Sequence, residues 1–308
     1  MKKMTEVWSS PSGPILTATT PWENSAVYQP WVIYEGNSFF RMWYSAGWDT
    51  PGVGYAECHG DPTVAANWIK PSSTVWWQGV DFNAVIKVNG LYYFFTTYQN
   101  QIYSAWSDNP RRPAPWLNTR SILSAGASPA LDSSICGPSP VIDGDEFDLF
   151  YVGAPPPTSP LTYRQFLARS TSTTMGGNKL VKDQHGPLST LQISPNGTYN
   201  ITANIQKVGN NWHAWPHCSL VGVGKSDIYH AYSSDKINWT YLNGGQPAIP
   251  RMSLWDPSSF DQVADCCVVE CDDLGMSYAF YDAVNNKIGS ACIIVSSMAG
   301  PLSSICPL

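Results

Sequence analysis

Charged residues are scarce in this chain of 308 residues, only 13% of which are Asp, Glu, Lys or Arg, against about 25% in typical soluble proteins. The net charge of −6 repels phosphate backbones, so nucleic acid is not an expected partner. No run reaches the roughly 18 consecutive apolar residues of a membrane helix, so no membrane partner is expected. Lys2 and Lys3 are not followed by the apolar core of a leader. We therefore expect the protein to be cytoplasmic, or secreted with its leader removed.

Recognisable cofactor and nucleophile motifs are also missing. The eight cysteines lack paired CxxC spacing, which argues against a zinc site and favours buried thiols, with disulfides as the alternative. No nucleophile elbow, phosphate-binding loop or dinucleotide-binding glycine turn leads from a strand into a helix. His213 and His217 have no third ligand nearby in the sequence. We expect no cofactor and no metal.

Short β-branched and aromatic runs between turn residues recur along the whole chain, and helical periodicity is hard to find, which favours an all-β protein. Five units share a pattern of a Val-Ile-like pair, a Gly or Asn turn, an aromatic strand and a closing strand. Equivalent points in the five units lie between 53 and 64 residues apart: Ile33, Ile86, Ile142, Ile205 and Val269. Each interval has room for four short strands.

Repeated four-stranded sheets that cannot bury both faces alone pack radially in β-propellers of about 4 to 8 blades. The sequence therefore predicts an all-β fold with a single domain over residues 1–308. The domain is expected to be a five-bladed β-propeller with four-stranded antiparallel blades around a central axis. The blades are expected to begin near residues 26, 80, 135, 200 and 262. We expect most of the Trp and Tyr residues to pack between blades.

The first unit also carries a resemblance to a known group of proteins. The run Tyr-Gln-Pro-Trp-Val-Ile-Tyr-Glu-Gly at 28–36, the aromatic strand at 39–44, Gly-Tyr-Ala at 54–56 and Asn-Trp at 67–68 resemble the blade motif of five-bladed glycosidases. Residues 229–239 are similar to the closing half of that motif. The resemblance is to the superfamily of glycoside hydrolase families 43, 62, 32, 68, 117 and 130. It extends over nearly the whole chain and matches no one family closely.

The resemblance implies a sugar site in the funnel at one end of the axis, with acids at the starts of the innermost strands. Such enzymes need a carboxylic acid and a carboxylate, about 6.5 to 9.5 Å apart for inversion and about 5 Å apart for retention. The positions that match the three acids of family 43 carry Gln29, a residue near Gly137 and one near Ile201. The same count gives Asp265 in the fifth blade and, one residue further back, Asp81 in the second.

Three aspartates are therefore the candidate catalytic residues. Asp81 precedes an apolar strand in an uncharged neighbourhood, which can raise its pKa for general acid work. Asp265 is flanked by apolar residues, so its burial requires a partner or a role. Asp81 and Asp265 would supply the acid and the base, with Asp132 tuning charge or position. Caps and turns are the alternative roles, most of all for Asp132, which resembles an Asx turn.

Several candidate sugar-binding residues pair an acid or amide with a nearby aromatic side chain. Sugar faces stack on indole rings while carboxylates accept hydrogen bonds from hydroxyl groups, although the same pairs suit turn formation. The candidates are Trp22, Glu23, Gln29, Trp48, Asp49, Trp77, Asn200, Trp255 and Asp256.

The leading hypothesis is a glycoside hydrolase that cleaves a furanoside or related glycan with paired carboxylates in the axial funnel. An alternative is a glycan-binding propeller without catalysis, a lectin or adhesion module, because the family 43 acids are missing. A third is a polysaccharide lyase that uses Tyr199 with His213 or His217. In each case the expected partner is an oligosaccharide or polysaccharide, and a monomer is expected.

Overall fold

The structure is a computed structural model that describes residues 6–9, 13–47, 49–112, 117–126, 132–155, 164–170, 180–184, 186–192, 199–219, 226–251, 262–285 and 290–299. It is built almost entirely of β-strands, which confirms the predicted all-β class. Helix in these ranges amounts to a single turn of α-helix, α1 (Ser189–Gln192), and short 3₁₀ turns. No helix in the described part of the chain is long and apolar enough to cross a membrane.

The first three blades are separate antiparallel sheets whose strands pair in chain order. Blade one contains β1 (Val27–Tyr34), β2 (Phe39–Ala46), β3 (Gly52–His59) and β4 (Trp68–Ile69), with β5 (Trp77–Gln78) also paired to β3. Blade two contains β6 (Asp81–Val88), β7 (Leu91–Tyr98), β8 (Gln101–Ser107) and β9 (Leu117–Ser124). Blade three contains β10 (Ser134–Asp143), β11 (Glu146–Ala154), β12 (Arg164–Ser170) and β13 (Val181–Lys182).

The fourth and fifth blades are joined into one larger sheet by a single parallel pair, Ser226 with Gln262. Blade four contains β14 (Tyr199–Val208), β15 (Asn211–Ser219), a third position divided between β16 (Ser226–Ile228) and β17 (Ala231–Ser233), and β18 (Thr240–Tyr241). Blade five contains β19 (Gln262–Cys271), β20 (Met276–Asn285) and β21 (Ser290–Ala299). All other strand pairs within the five blades are antiparallel, as predicted.

The innermost strands of the blades, β1, β6, β10, β14 and β19, form a closed ring. Each of them contacts the innermost strands of the two neighbouring blades. This arrangement confirms the predicted five-bladed propeller and brings the starts of five strands, far apart in sequence, to one end of a common axis.

Five of the apolar clusters among the described residues lie between neighbouring blades, one for each pair, and a sixth, small cluster contains Ala26 and Tyr28. Between blades one and two, for example, Trp43 and Tyr55 pack with Phe94. Between blades three and four, Phe150 packs with Trp239, with their ring centroids 6.2 Å apart. The aromatic runs therefore pack mainly between blades, as the sequence predicts.

Residues near the N-terminus pair with β21, the last strand of the fifth blade. The backbone N–H of Ser9 donates to the carbonyl of Ser297 on β21 at 2.9 Å, and the Ser297 N–H donates to the Ser9 hydroxyl at 2.9 Å. Trp8 packs on the cluster between blades four and five. The first described residues thus lie along the outer edge of the last blade.

A buried polar chain anchors this N-terminal segment to blade four. The carboxylate of Glu6 bonds Nδ1 of His230 at 2.8 Å, and Nε2 of His230 bonds Nδ1 of His213 at 2.8 Å. Trp215 stacks on His230 with centroids 4.6 Å apart. Burial, followed by the charge of His230, lowers the pKa of His213 from 6.5 to about 3.

We expect the free energy of unfolding to fall as the pH falls from 6.5 toward 3. Over that range unfolded His213 binds a proton that folded His213 does not, which gives a slope of about 1.4 kcal/mol per pH unit. Glu6 also lowers the free energy of unfolding as the pH falls, in the most acidic part of this range. Burial raises its pKa, but the charge and hydrogen bond of His230 outweigh burial and lower the pKa below 4.5. Urea unfolding at a series of pH values measures the slope.

The matched variants are His213→Asn and His59→Asn. His213→Asn removes the contribution of His213 and is expected to lower the slope by about 1.4 kcal/mol per pH unit, while His217, whose pKa burial also lowers, continues to contribute. His59 is exposed, so its replacement is expected to leave the slope unchanged. An equal slope in wild type and His213→Asn would contradict the role given to His213.

Candidate active site

All five innermost strands carry a β-bulge near their start. The pairing register shifts between Tyr28 and Trp31, Asp81 and Ala84, Cys136 and Ser139, Asn200 and Thr202, and Ala264 and Cys267. At four of the bulges a residue has positive φ: Gln29 (49°), Phe82 (52°), Gly137 (59°) and Asp265 (47°). Positive φ costs a non-glycine residue about 1–2 kcal/mol, and such strain is concentrated at functional sites, as are bulges.

The bulged strand ends line a small, open pocket on the propeller axis. Every blade contributes to its wall. The residues that line it are Gln29, Pro30, Trp31, Phe82, Asn83, Gly137, Pro138, Thr202, Ala203, Asn204, Asp265 and Cys266. The wall therefore combines aromatic surface with amide, hydroxyl and carboxylate groups, a composition suited to a small polar ligand with apolar faces.

Asp81 lies at the start of β6, directly before the bulge. Its carboxylate accepts the backbone N–H of Phe82 at 2.8 Å and the hydroxyl of the buried Ser45. The amide of Asn83 donates to the same hydroxyl at 3.2 Å. Burial and the nearby charge of Asp265 outweigh these hydrogen bonds and raise the pKa of Asp81 to about 6. Asp81 can therefore hold a proton in mildly acidic solution and release it near neutrality.

Asp265 occupies the bulge of β19 and faces the pocket. Its Oδ1 accepts the hydroxyl of Thr202 at 2.6 Å. The backbone N–H of Asp265 donates to Nδ1 of His217 at 3.2 Å, which makes that nitrogen an acceptor. Burial lowers the pKa of His217 against the opposing effect of Asp265, so the ring is neutral. Asp265 is thus an acceptor with a fixed orientation.

The structure brings the two predicted carboxylates together across the axis. The charges of both add to burial in raising the pKa of the Cys136 thiol to about 12, and both raise the pKa of the buried Tyr28. Asp81 and Asp265 therefore share one electrostatic environment. One carboxylate has a raised pKa and the other has fixed hydrogen-bond donors, a pairing that separates acid and base roles.

A third carboxylate, Asp282 on β20, belongs to the same cluster and was not among the sequence candidates. Its register partner is Ala264, next to the bulge at Asp265, and its side chain contacts that of Asp265. Asp282 is 3% exposed. The sequence signal was present, since Asp282 is the one acid in the run from Met276 to Val284, and a buried acid requires a partner.

Asp132, the third predicted catalytic residue, lies before β10 with a different set of partners. Its Oδ2 accepts the ammonium of Lys182 at 2.5 Å and the hydroxyl of Tyr151 at 3.0 Å. Tyr151 belongs to the core between blades two and three. No described contact joins Asp132 to Asp81 or Asp265. These contacts indicate a structural ion pair.

We expect Asp132→Asn to lower the stability of the protein and to leave turnover nearly unchanged. The variant loses a charged acceptor for Lys182 and Tyr151, which costs about 1–3 kcal/mol. Thermal unfolding and kcat on the same samples measure the two effects. A hundredfold loss of kcat in a fully folded Asp132→Asn would instead give Asp132 a part in the chemistry.

Glu23, a predicted sugar-binding residue, is fully buried at the start of blade one. Its carboxylate pairs with Lys70 at 2.5 Å and accepts the hydroxyl of Tyr44 at 2.8 Å. It also accepts the backbone N–H groups of Thr19 and Thr20 at 2.6 and 2.9 Å. These four donors occupy the carboxylate and give it a structural function.

The other predicted sugar-binding residues lie in varied places. Gln29 lines the pocket, and its Oε1 accepts the backbone N–H of Phe82 at 3.1 Å. Trp22 stacks on Tyr44 with centroids 6.4 Å apart, and the exposed Asp49 accepts the amide of Asn24 at 3.2 Å. Trp77 stacks on Phe94 at 5.3 Å. Asn200 lies on β14, at the bulge. Two tryptophans and one aspartate lie outside the described residues: Trp48, Trp255 and Asp256.

One group of acids on blade three has the spacing of a cation site. Carboxylate oxygens of Asp143, Glu146 and Asp148 lie within 4.8 Å of one another. The ammonium of Lys236 lies among them, 2.6 Å from Asp143, 2.6 Å from Asp148 and 3.3 Å from Glu146. The lysine supplies the positive charge that a metal ion would supply.

The cysteines whose side chains are described carry free thiols. Cys58, Cys266, Cys267 and Cys271 are buried and Cys136 is partly buried. This agrees with the sequence expectation of buried thiols at four of these positions, and Cys136 is a free thiol that is only partly buried.

No known protein-family model matches the chain, and no curated protein sequence matches it. Among solved structures, the catalytic domain of a family 62 α-L-arabinofuranosidase from Coprinopsis cinerea is similar, with a TM-score of 0.71 at 12% identity over 97% of this chain and 98% of that one. A thermostable family 43 glycoside hydrolase has a TM-score of 0.64 at 13% identity, over 92% of this chain and 95% of that one. A family 117 glycoside hydrolase from the marine bacterium Zobellia galactanivorans has a TM-score of 0.62 at 12% identity, over 96% of this chain and 90% of that one. The chain therefore has the five-bladed propeller fold of these glycoside hydrolases, without a fixed place in one family.

Proposed function

We propose that this protein is a glycoside hydrolase whose axial pocket cleaves a furanoside or a related glycan. The observation that carries the proposal is the pairing of Asp81 and Asp265 at the bulged starts of two innermost strands, beside a pocket lined by all five blades. The fold shared with hydrolases of families 43, 62 and 117 supports it, but a fold alone does not determine a reaction.

In this mechanism Asp81 is the general acid. Its pKa of about 6 keeps the carboxyl protonated in mildly acidic solution, where it donates a proton to the leaving glycosidic oxygen. Asp265 is the carboxylate that activates water or attacks the sugar carbon. The hydroxyl of Thr202 orients Asp265, and Ser45 orients Asp81.

The pocket wall supplies groups that suit a sugar. The indole of Trp31 is fixed by its N–H, which donates to the Val85 carbonyl at 2.6 Å, and it offers apolar surface next to Phe82. Gln29 and Asn204 line the same pocket with amide groups that can exchange hydrogen bonds with sugar hydroxyls.

The test is release of reducing sugar from a broad panel of polysaccharides and aryl furanosides and pyranosides. Turnover on at least one substrate is expected, with kcat falling as the pH rises through about 6, since Asp81 then loses its proton. Proton NMR of the first product distinguishes inversion from retention. Saturable glycan binding with no turnover across the panel would reject the proposal.

The second candidate is a glycan-binding propeller without catalysis. The observation in its favour is that three of the bulge positions equivalent to Asp265 carry Gln29, Phe82 and Gly137 instead of acids. Binding on a glycan array that is unchanged in Asp81→Asn and Asp265→Asn, without turnover, would favour it. The lyase alternative has less support, because His213, one of its two candidate histidines, is fully buried against His230.

A further inference from the structure

We infer that Asp282 is a positioning residue that acts, as a neutral carboxylic acid, by donating a hydrogen bond to the Asp265 carboxylate and fixing it toward the pocket. The catalytic part of this inference rests on the proposed function. The protonation state of Asp282 itself depends on the contacts among Asp282, Asp265 and Asp81, and it can be measured without any turnover.

The position of Asp282 is determined by the pairing of β19 with β20. The pairs Gln262–Val284, Val263–Ala283 and Ala264–Asp282 are regular, and the bulge then follows at Asp265. Because of the bulge, the side chain of Asp265 contacts that of Asp282, which lies opposite Ala264, the residue before Asp265. The backbone N–H of Gln29, at the bulge of β1, donates to Asp282. Two adjacent innermost strands thus fix this side chain.

The groups around the pair disfavour two negative charges. Asp265 on β19 and Asp81 on β6 are acids that can carry negative charge. Tyr28 on β1 stays neutral, because burial and these carboxylates raise its pKa, and His217 on β15 is neutral. Among the described residues, no Lys or Arg forms an ion pair with Asp265 or Asp282. Two carboxylates in contact without a cation share one proton.

The proton belongs on Asp282. This residue is 3% exposed, whereas the side chain of Asp265 keeps 15% of its surface exposed and accepts a 2.6 Å hydrogen bond from Thr202. Burial and then the charge of Asp265 raise the pKa of Asp282 well above its ordinary value. Asp265 is the better solvated anion, so Asp282 donates and Asp265 accepts.

The consequence is an Asp265 carboxylate held by two donors, the Thr202 hydroxyl and the Asp282 acid, on two different strands. Its remaining acceptor capacity is directed to the pocket. Residues that orient a reacting group in this way change rates by about 10- to 100-fold when removed.

Two variants separate a neutral donor from a charged group. In Asp282→Asn the amide nitrogen can still donate to Asp265 and the amide oxygen can still accept from Gln29, so kcat is expected to stay within about threefold of wild type. Asp282→Ala removes the donor, and kcat is expected to fall about 10- to 100-fold with little change in KM.

Infrared spectroscopy at pH 8 gives a readout that does not require activity. Asp81 is ionised at that pH, since its pKa is about 6. Wild type is expected to show a carboxylic-acid C=O stretch that is missing from Asp282→Asn. Thermal unfolding of each variant confirms that the comparison is made on folded protein.

The outcomes distinguish the two proposals. If Asp265→Asn keeps full turnover, or the panel shows no turnover at all, the proposed function fails and the infrared band alone decides the state of Asp282. If Asp265→Asn is inactive while Asp282→Ala keeps the kcat of wild type, only the role given to Asp282 fails. It also fails if the wild-type band is missing or if Asp282→Asn loses as much activity as Asp282→Ala.

Discussion

Asp265→Asn is expected to abolish turnover, and Asp81→Asn is expected to lower kcat on natural glycans by about 10²- to 10⁴-fold. An amide at position 265 cannot take a proton from water or form a bond to the sugar carbon, so the step assigned to Asp265 is lost. An amide at position 81 cannot protonate the leaving oxygen, which removes the contribution of a general acid. Initial rates on an active substrate measure both losses.

The leaving group separates the two roles. A nitrophenolate departs with little need for a proton, so Asp81→Asn is expected to recover much of its activity on nitrophenyl glycosides. Asp265→Asn is expected to stay inactive on both substrate types, because its step precedes or accompanies departure of any leaving group. The ratio of the rate on nitrophenyl glycosides to the rate on natural glycans in each variant therefore distinguishes the acid from the base, whatever the overall loss of activity.

Asp61→Asn is the matched control, since Asp61 is an exposed aspartate that caps the N–H of Thr63 at 2.9 Å. Its kcat is expected to equal that of wild type on both substrates. Full turnover in either Asp81→Asn or Asp265→Asn would remove that residue from the mechanism. Equal losses on natural and nitrophenyl substrates in Asp81→Asn would remove its role as the acid.

The repeat made the fold predictable, and the fold made part of the site predictable. Ile33 and Val269 are equivalent points, and four residues before them lie Gln29 and Asp265, which both occupy bulges with positive φ. Asp81 directly precedes the equivalent bulge at Phe82. A five-fold repeat places such positions around one axis, so a count along the sequence locates residues that converge in space.

Side-chain partners could not be predicted from the repeat, because they come from other strands. Glu23 looked like a loop acid beside a tryptophan, but Lys70, 47 residues away, pairs with it in the interior. Lys182 reaches Asp132 from 50 residues away. Burial depends on these long-range pairs, which the local sequence pattern does not encode.

Lys236 shows the energetic weight of such pairs. It is 6% exposed and lies among three carboxylates, one of which, Asp148, has no exposed surface. Its ammonium also lies 5.0 Å from the centroid of the Trp212 ring. The cluster joins β10 and β11 of blade three to the turn after β17 in blade four, so its charge balance bears on the packing of two blades.

Lys236→Met is expected to lower the free energy of unfolding by about 3–5 kcal/mol at neutral pH. Methionine keeps an apolar stem against Trp212 but removes the charge, and a buried carboxylate without its cation is strongly destabilising. Denaturant unfolding at pH 7 measures the loss. The difference from wild type is expected to shrink in acid, where the carboxyl groups of the variant take up protons.

Lys207→Met is the matched control, because Lys207 is more exposed and pairs with Asp143 alone in this cluster. An exposed pair contributes about 0–1 kcal/mol, so the control is expected to lose no more than that.

Calcium offers a second measurement, since carboxylate oxygens are its preferred ligands. With Lys236 replaced, Asp143, Glu146 and Asp148 can bind the ion, and millimolar calcium is expected to raise the melting temperature of Lys236→Met but not of Lys207→Met. Equal losses in the two variants, with no response to calcium, would show that Lys236 does not neutralise this cluster.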